Sequence, residues 1–202
     1  MRVDLSLLIA SRDLEADLPT LVKQLLAVAQ VARAPGREAG ELAFEILALD
    51  ERSRDNSLSV LAMLQTQIAQ LAVFDDIAPG SAIREGVAKS RGQAVMIVDT
   101  CLDTDYAVWA CEAVLGGQAA AIVPGELLVI ERDLADRALR RLSGGLMRGQ
   151  RAVRKDLADT GLAPAFAPAS IRGLRARTRR WLRGQASLLP ITARAFDRAG
   201  RA

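Results

Sequence analysis

The sequence predicts an α/β fold, a mostly parallel sheet flanked by helices, followed by a basic helical C-terminal extension. Three observations lead there. Strand and helix patterns alternate five times over about the first 130 residues, the rhythm of βα units. Several strand-length runs, Ala94 to Val98 above all, are apolar at every position, as in strands buried on both faces. The charge is also split. Residues 1–131 hold 10 Lys/Arg and 19 Asp/Glu, a net −9, whereas residues 132–202 hold 17 and 5, a net +12. The split predicts an acidic domain over 1–131 and a basic extension over 132–202 that meets something anionic.

The chain has 202 residues, half of them hydrophobic and only 3% aromatic, so its core is built from Leu, Val, Ile and Ala. No apolar run is long enough for a transmembrane helix. The first residues, MRVDLSLLIAS, read as a strand and not as a signal peptide. Two cysteines without metal-type spacing imply a reducing, cytoplasmic setting. There is no histidine, which removes the usual general base, the usual zinc ligand and any Ser-His or Cys-His pair. Chemistry here falls to carboxylates, Arg, Lys or a metal held through oxygen.

In order, Val3 to Ala10 is the first strand. Pro19 then opens a helix with a stripe of Leu18, Leu21, Val22, Leu25, Val28 and Ala29. Leu42 to Leu49 is the second strand. A helix follows it, capped by Ser53 or Asp55, with Leu61, Leu64, Ile68 and Leu71 at helical spacing. Ala72 to Phe74 is a short third strand. Ser81 to Lys89 is a short helix, ended by the turn Ser90-Arg91-Gly92, and Ala94 to Val98 is the central strand. A helix to Leu115 stops at Gly116-Gly117. Strands follow at Ala119 to Val123 and Glu126 to Ile130. From Asp133 onward no strand is expected. A helix through Leu134, Ala138, Leu142 and Leu146 is interrupted by Gly144-Gly145, and Gly161 to Ser170 reads as a linker.

Three strand ends carry acids or polar turns: Ser11-Arg12-Asp13, Asp50-Glu51-Arg52-Ser53 and Asp99-Thr100-Cys101. In a parallel sheet these share the carboxyl edge, where open α/β sheets bind ligands. Such a cluster suits a nucleotide with a bound cation, since carboxylates take Mg²⁺ or Mn²⁺ and the ion takes the diphosphate. Arg84 and Arg91 are candidates for charge-assisted contacts to phosphate.

These segments resemble family 2 glycosyltransferases of the GT-A fold, a Rossmann-type architecture, and within them the dolichyl-phosphate-mannose-synthase type. SLLIASRDLEADLPTLVKQL resembles the family's first strand and helix. FEILALDERSRDNSLSVL resembles its Asp-Asp-Gly-Ser-x-Asp-Gly-Thr segment. GSAIREGVAKSRGQAVMIVDTCLD resembles its Gly-x-x-x-Ala-x-x-x-Gly run into the D-x-D motif. The resemblance covers about residues 3–131. It implies transfer of a sugar from a nucleoside-diphosphate sugar to an acceptor with inversion. By position, Asp50 and Glu51 would face the base, Asp99 the ribose or metal, and Arg84 the phosphates, with Ser11 and Asp13 on the floor.

The departures from the family pattern are specific. Asp99-Thr100-Cys101 stands where the family has Asp-Ala-Asp, and Cys101 is a soft ligand poorly suited to Mg²⁺. Asp103 is the substitute ligand, two residues out of place. Arg52 replaces a glycine, and Asp13-Leu14 replaces Asn-Glu. The acceptor region is short and leaves Glu126 and Glu131 as candidate bases. A catalytically inactive GT-A-like module, binding or scaffolding, is the alternative function.

The basic segment over 171–189 carries Arg172, Arg175, Arg177, Arg179, Arg180 and Arg183 beside Ile171, Leu174, Trp181, Leu188 and Leu189. An anionic membrane surface is its favoured partner, placing the protein in the cytoplasm and peripherally at the inner face of a membrane. Nucleic acid is the less favoured rival, and packing on the acidic domain is the third reading.

Overall fold

A computed structural model of the chain describes residues 3–37 and 39–167. The segment 171–189 lies outside the described residues. The elements are β1 (Leu5–Ser11), α1 (Leu18–Val31), β2 (Phe44–Asp50), α2 (Ser57–Gln67), β3 (Leu71–Phe74), α3 (Ala82–Lys89), β4 (Ala94–Val98), α4 (Thr104–Leu115), β5 (Ala120–Val123), β6 (Leu127–Glu131), α5 (Arg132–Leu139), α6 (Leu146–Asp159) and β7 (Ala165–Phe166).

The strands form one mixed sheet in the order β3-β2-β1-β4-β6-β5-β7. β1 pairs in parallel with β2, from Leu5↔Phe44 to Ser11↔Asp50, and with β4, the middle strand, where Ile9 faces Val98. β3 extends the parallel half beyond β2. β6 runs antiparallel between β4 and β5, and β7 pairs in parallel with β5 at the far edge.

Alternation along each strand sends successive side chains to opposite faces. Leu5, Leu7, Ile9, Met96 and Val98 pack with Leu21, Leu25, Leu61 and Cys111 of α1, α2 and α4. Leu8, Leu47, Leu49, Val95 and Ile97 pack with Ile83, Val87, Leu139, Val153 and Leu157 of α3, α5 and α6. Both faces of the sheet are therefore covered, which is why its strands read as continuous apolar runs.

Two differences from the sequence reading have physical causes. Ile68 leaves the helical conformation at φ −126°, so α2 ends at Gln67 and Leu71 opens β3. The interruption expected at Gly144-Gly145 does fall between α5 and α6, where Gly144 takes φ 127°. A strand also exists where none was expected: Ala165 and Phe166 pair with Ala121 and Ile122, too short a segment to show period-two alternation. The compact unit runs Met1–Ala167, so α5, α6 and β7 complete the sheet unit and are not part of a separate extension.

Candidate active site

The parallel strands deliver their carboxyl ends to one edge. Ser11 and Asp50 are partners in register, and Val98 faces Ile9, so Asp99 leaves the sheet beside Ala10. β6 runs the other way, and Leu127 faces Val98, which brings Glu126 to the same edge. α3 begins here too, since the Ala82 amide donates to Glu51 Oε1 at 2.9 Å. Ser11, Asp13, Asp50, Glu51, Arg84, Asp99 and Glu126 thus meet along one rim. Arg84 lies in the first turn of α3, its side chain half-exposed and 3.2 Å from Glu85 Oε1.

Asp50 is fully buried and organises the loops instead of facing solvent. Its Oδ2 accepts the Ser53 amide at 3.0 Å, and its Oδ1 accepts the Ser53 hydroxyl and, at 3.5 Å, the Ser11 hydroxyl. Ser53 Oγ in turn accepts the Asp13 amide at 2.9 Å, and Asp13 Oδ1 accepts the Arg54 amide at 2.7 Å. The loops after β1 and β2 are laced into one wall. Asp55 extends the lacing. Slight burial pulls its pKa up, but hydrogen bonds from the Ser57 hydroxyl and the Glu15 and Ser57 amides hold it below the ordinary carboxylate value. The wall stores backbone strain, because Asp13, Arg52 and Asp76 take φ of 55°, 54° and 54°, a region that side-chain-bearing residues seldom occupy. Arg52 Nε donates to Asp76 Oδ1 at 2.7 Å and joins two of the three.

Asp99 is half-buried, and burial raises its pKa above 3.8 against the lowering effect of a backbone hydrogen bond. Beyond it, Gln24 of α1 clamps Leu102, donating to its carbonyl at 2.9 Å and accepting its amide at 3.2 Å. Cys101 Sγ lies 3.9 Å from the Asp17 carbonyl oxygen. Asp103 caps α4, its Oδ1 accepting the Asp105 amide at 3.0 Å. Among the described residues no three His, Cys, Asp or Glu side chains come together as a set for an ion. Asp99 alone, beside a soft thiol and a helix-capping carboxylate, does not fit a divalent-cation site made by the protein.

Two candidates lie elsewhere. Glu131 faces Ala94, the first residue of β4, so the antiparallel register puts it at the opposite edge from Asp99. There it lines a cavity of about 410 Å³ with Gln93, Gln118 and Arg132. Arg91 is also at that edge. It pairs with the buried Glu45 at 2.7 Å, and Gly92 donates to Ser6 Oγ, which donates to the same carboxylate. Arg91 secures the sheet and lies away from the carboxyl-edge rim.

Gln150 of α6, 1% exposed, escaped the sequence reading. Its Nε2 donates to the Val123 and Leu127 carbonyls at 3.0 and 2.9 Å, and its Oε1 accepts the Gly125 amide at 3.2 Å. One side chain therefore fixes the turn that carries Glu126. The available signal was a polar residue on the apolar stripe Leu146, Val153, Leu157.

No protein-family model matches the sequence, and no curated protein is similar to it. Solved structures are similar to its fold. A mannosyl-3-phosphoglycerate synthase from Rubrobacter xylanophilus superposes with a TM-score of 0.60 at 16% identity, over 94% of this chain and 77% of that one. A mannosyltransferase from Pyrobaculum calidifontis, solved with GDP-Man and Mn²⁺, gives 0.59 at 16% identity, over 89% and 61%. A glucosyl-3-phosphoglycerate synthase from Mycobacterium tuberculosis, solved with Mn²⁺, UDP and glucosyl-3-phosphoglycerate, gives 0.55 at 14%, over 94% and 82%. The chain spans about three-fifths of the Pyrobaculum enzyme's length. Its mostly parallel sheet with flanking helices is the GT-A arrangement of nucleotide-sugar glycosyltransferases.

Proposed function

We propose that the protein binds a nucleoside-diphosphate sugar at the carboxyl edge of its sheet and transfers the sugar, with inversion, to a lipid-linked acceptor. One observation carries this reading: Asp99, half-buried at the end of the central strand, stands beside the laced wall of Ser11, Asp13 and Asp50 and next to the turn bearing Glu126.

The roles follow from position. Asp50 and Ser11 act from beneath, holding the loop on which the base lies, and Glu51 fixes the start of α3 beside it. Asp99 accepts hydrogen bonds from the ribose hydroxyls, the reason a carboxylate is useful there. Arg84, with the amino end of α3 behind it, meets the diphosphate. Glu126 takes the acceptor's hydroxyl proton as that oxygen attacks the anomeric carbon, and the bond from the anomeric carbon to the diphosphate breaks on the opposite face. Among the described residues no cluster of carboxylates forms a ready-made cage for an ion such as the Mn²⁺ of the Pyrobaculum and Mycobacterium structures. The acceptor would reach the site from an anionic membrane surface at the inner face of a membrane, met by the segment 171–189. No helix among the described residues is long and apolar enough to cross a bilayer.

The thin set of cation ligands favours a second reading, a donor-binding module without turnover. Calorimetric titration with UDP and GDP, with and without Mn²⁺, tests both. Binding of either nucleotide is expected, weakened at least tenfold, about 1.4 kcal/mol, by Asp99→Ala. Absence of binding at millimolar nucleotide ends both readings. Binding without sugar transfer or hydrolysis leaves only the second. Cys101→Asp adds a hard oxygen ligand and should make binding depend more strongly on Mn²⁺.

A further inference from the structure

α6 buries Leu146, Gly149, Gln150, Val153 and Leu157, and its outward side is both basic and apolar. Arg148, Arg151, Arg154 and Lys155 are exposed, and none has a carboxylate partner among the described residues. From Arg140 to Ala167 the chain holds six Lys/Arg and two Asp, and one of those, Asp156, is engaged by Arg137 at 2.7 Å. Arg148, Arg151, Arg154 and Lys155 are spaced three and four apart, so their mutual repulsion opposes the helix they sit on.

The apolar side chains are as informative as the charges. Met147, Leu162 and Phe166 are 50%, 58% and 49% exposed. Met147, Arg151 and Arg154 share one helical face by their spacing, and the Arg154 guanidinium lies 5.3 Å from the centre of the Phe166 ring. Large apolar side chains interleaved with long cationic ones, all facing solvent, match the boundary of a bilayer. There the alkyl stems and rings enter the acyl edge while the charges reach lipid phosphate.

We propose that this face of α6, continued by Leu162 and Phe166, is a docking surface for an anionic lipid bilayer. The proposal deepens the lipid-acceptor part of the reading above and rests on it. The surface adjoins the site, since a Cβ added at Gly125, in the Glu126 turn, would stand 3.8 Å from Met147 Sδ. A bilayer on α6 would hold a membrane-borne acceptor beside the candidate base.

The test is co-sedimentation of the full chain with phosphatidylcholine vesicles, with and without phosphatidylserine. The expected result is binding only with phosphatidylserine, falling steeply with salt. The triple variant Arg151→Gln, Arg154→Gln, Lys155→Gln should lose at least tenfold in vesicle affinity with UDP or GDP affinity unchanged. Arg151→Glu alone should weaken binding in the same direction, and Trp181→Ala is run in parallel. Loss of binding on Trp181→Ala, with the triple variant behaving as the native chain, would overturn the α6 surface and leave the lipid reading standing. A native chain that binds neither vesicle overturns both. Tighter binding to a short RNA or DNA duplex than to the anionic vesicles overturns the lipid assignment.

Discussion

Ser53 donates both its amide and its hydroxyl to Asp50, and the same hydroxyl oxygen accepts the Asp13 amide at 2.9 Å. One small side chain thereby joins a buried carboxylate to the opposite loop. In Ser53→Ala, Asp50 keeps only the Ser53 amide and the long contact to Ser11, and the Asp13 amide loses its acceptor. A loss of about 1–3 kcal/mol is expected, read from the urea midpoint at unchanged slope. Nucleotide affinity should fall with it, and Ser53→Thr should recover most of both. Unchanged nucleotide binding in a destabilised Ser53→Ala would mean that this wall supports the fold without touching the ligand.

Gly92 has a different importance. A Cβ there would lie 2.5 Å from the Ser6 amide nitrogen and 2.8 Å from the Ala94 carbonyl oxygen, both backbone atoms. Gly92→Ala therefore forces apart the start of β1 and the approach to β4 and disturbs the Ser6–Glu45–Arg91 network. Overpacking of this kind costs about 1–3 kcal/mol. The site is at the other edge of the sheet, so the folded fraction should bind nucleotide as before. A melting temperature within error of the native chain would show that the approach relaxes easily.

Much of this architecture was legible in the sequence. Ala94 to Val98 is β4 residue for residue, because a doubly covered strand needs every position apolar. The carboxyl-edge cluster followed from strand direction alone. Direction also misled: β6 is antiparallel, which sends Glu131, at its end, to the opposite rim while Glu126, just before its start, stays at the carboxyl edge. Periodicity carries no information on strand sense. Arg91 had the right charge for phosphate, but its partner, Glu45, is 46 residues away in sequence. The replacement at Arg52 read as a lost glycine, yet Arg52 adopts φ 54°, the conformation that glycine would supply freely. Arg52 makes this turn itself, with the Asp76 contact alongside.

Gln150 separates positioning from binding. Gln150→Leu has similar volume but leaves the Gly125 amide and two carbonyls without their partner, at a cost of about 1–3 kcal/mol. If Glu126 is the base, the turn shifts and kcat for sugar transfer falls at least tenfold, while the affinity for UDP or GDP is unchanged. An equal fall in nucleotide affinity would show that the variant disturbs the sheet as a whole, and an unchanged kcat would remove Glu126 from the reaction.

Asp99 gives a pH dependence whose sign can be fixed. Burial raises its folded-state pKa above 3.8, so between 3.8 and that raised value the folded chain binds more protons than the unfolded chain. Stability contributed by Asp99 therefore falls as pH rises through this window and stays reduced above it. Asp99→Asn removes the charge but keeps the shape. The variant should be more stable than the native chain at pH 7, and the difference should close as pH falls below 3.8. Nucleotide affinity should move the other way, since the amide is a poorer acceptor for ribose hydroxyls than a carboxylate. A site kept for function and not for folding shows this opposition: more stability with less binding. Denaturant melts of the two chains across the acid range, with UDP or GDP titrations at pH 7, measure both halves. A variant less stable at pH 7 would mean that the carboxylate has a stabilising native role, and Asp99 would then read as a structural residue.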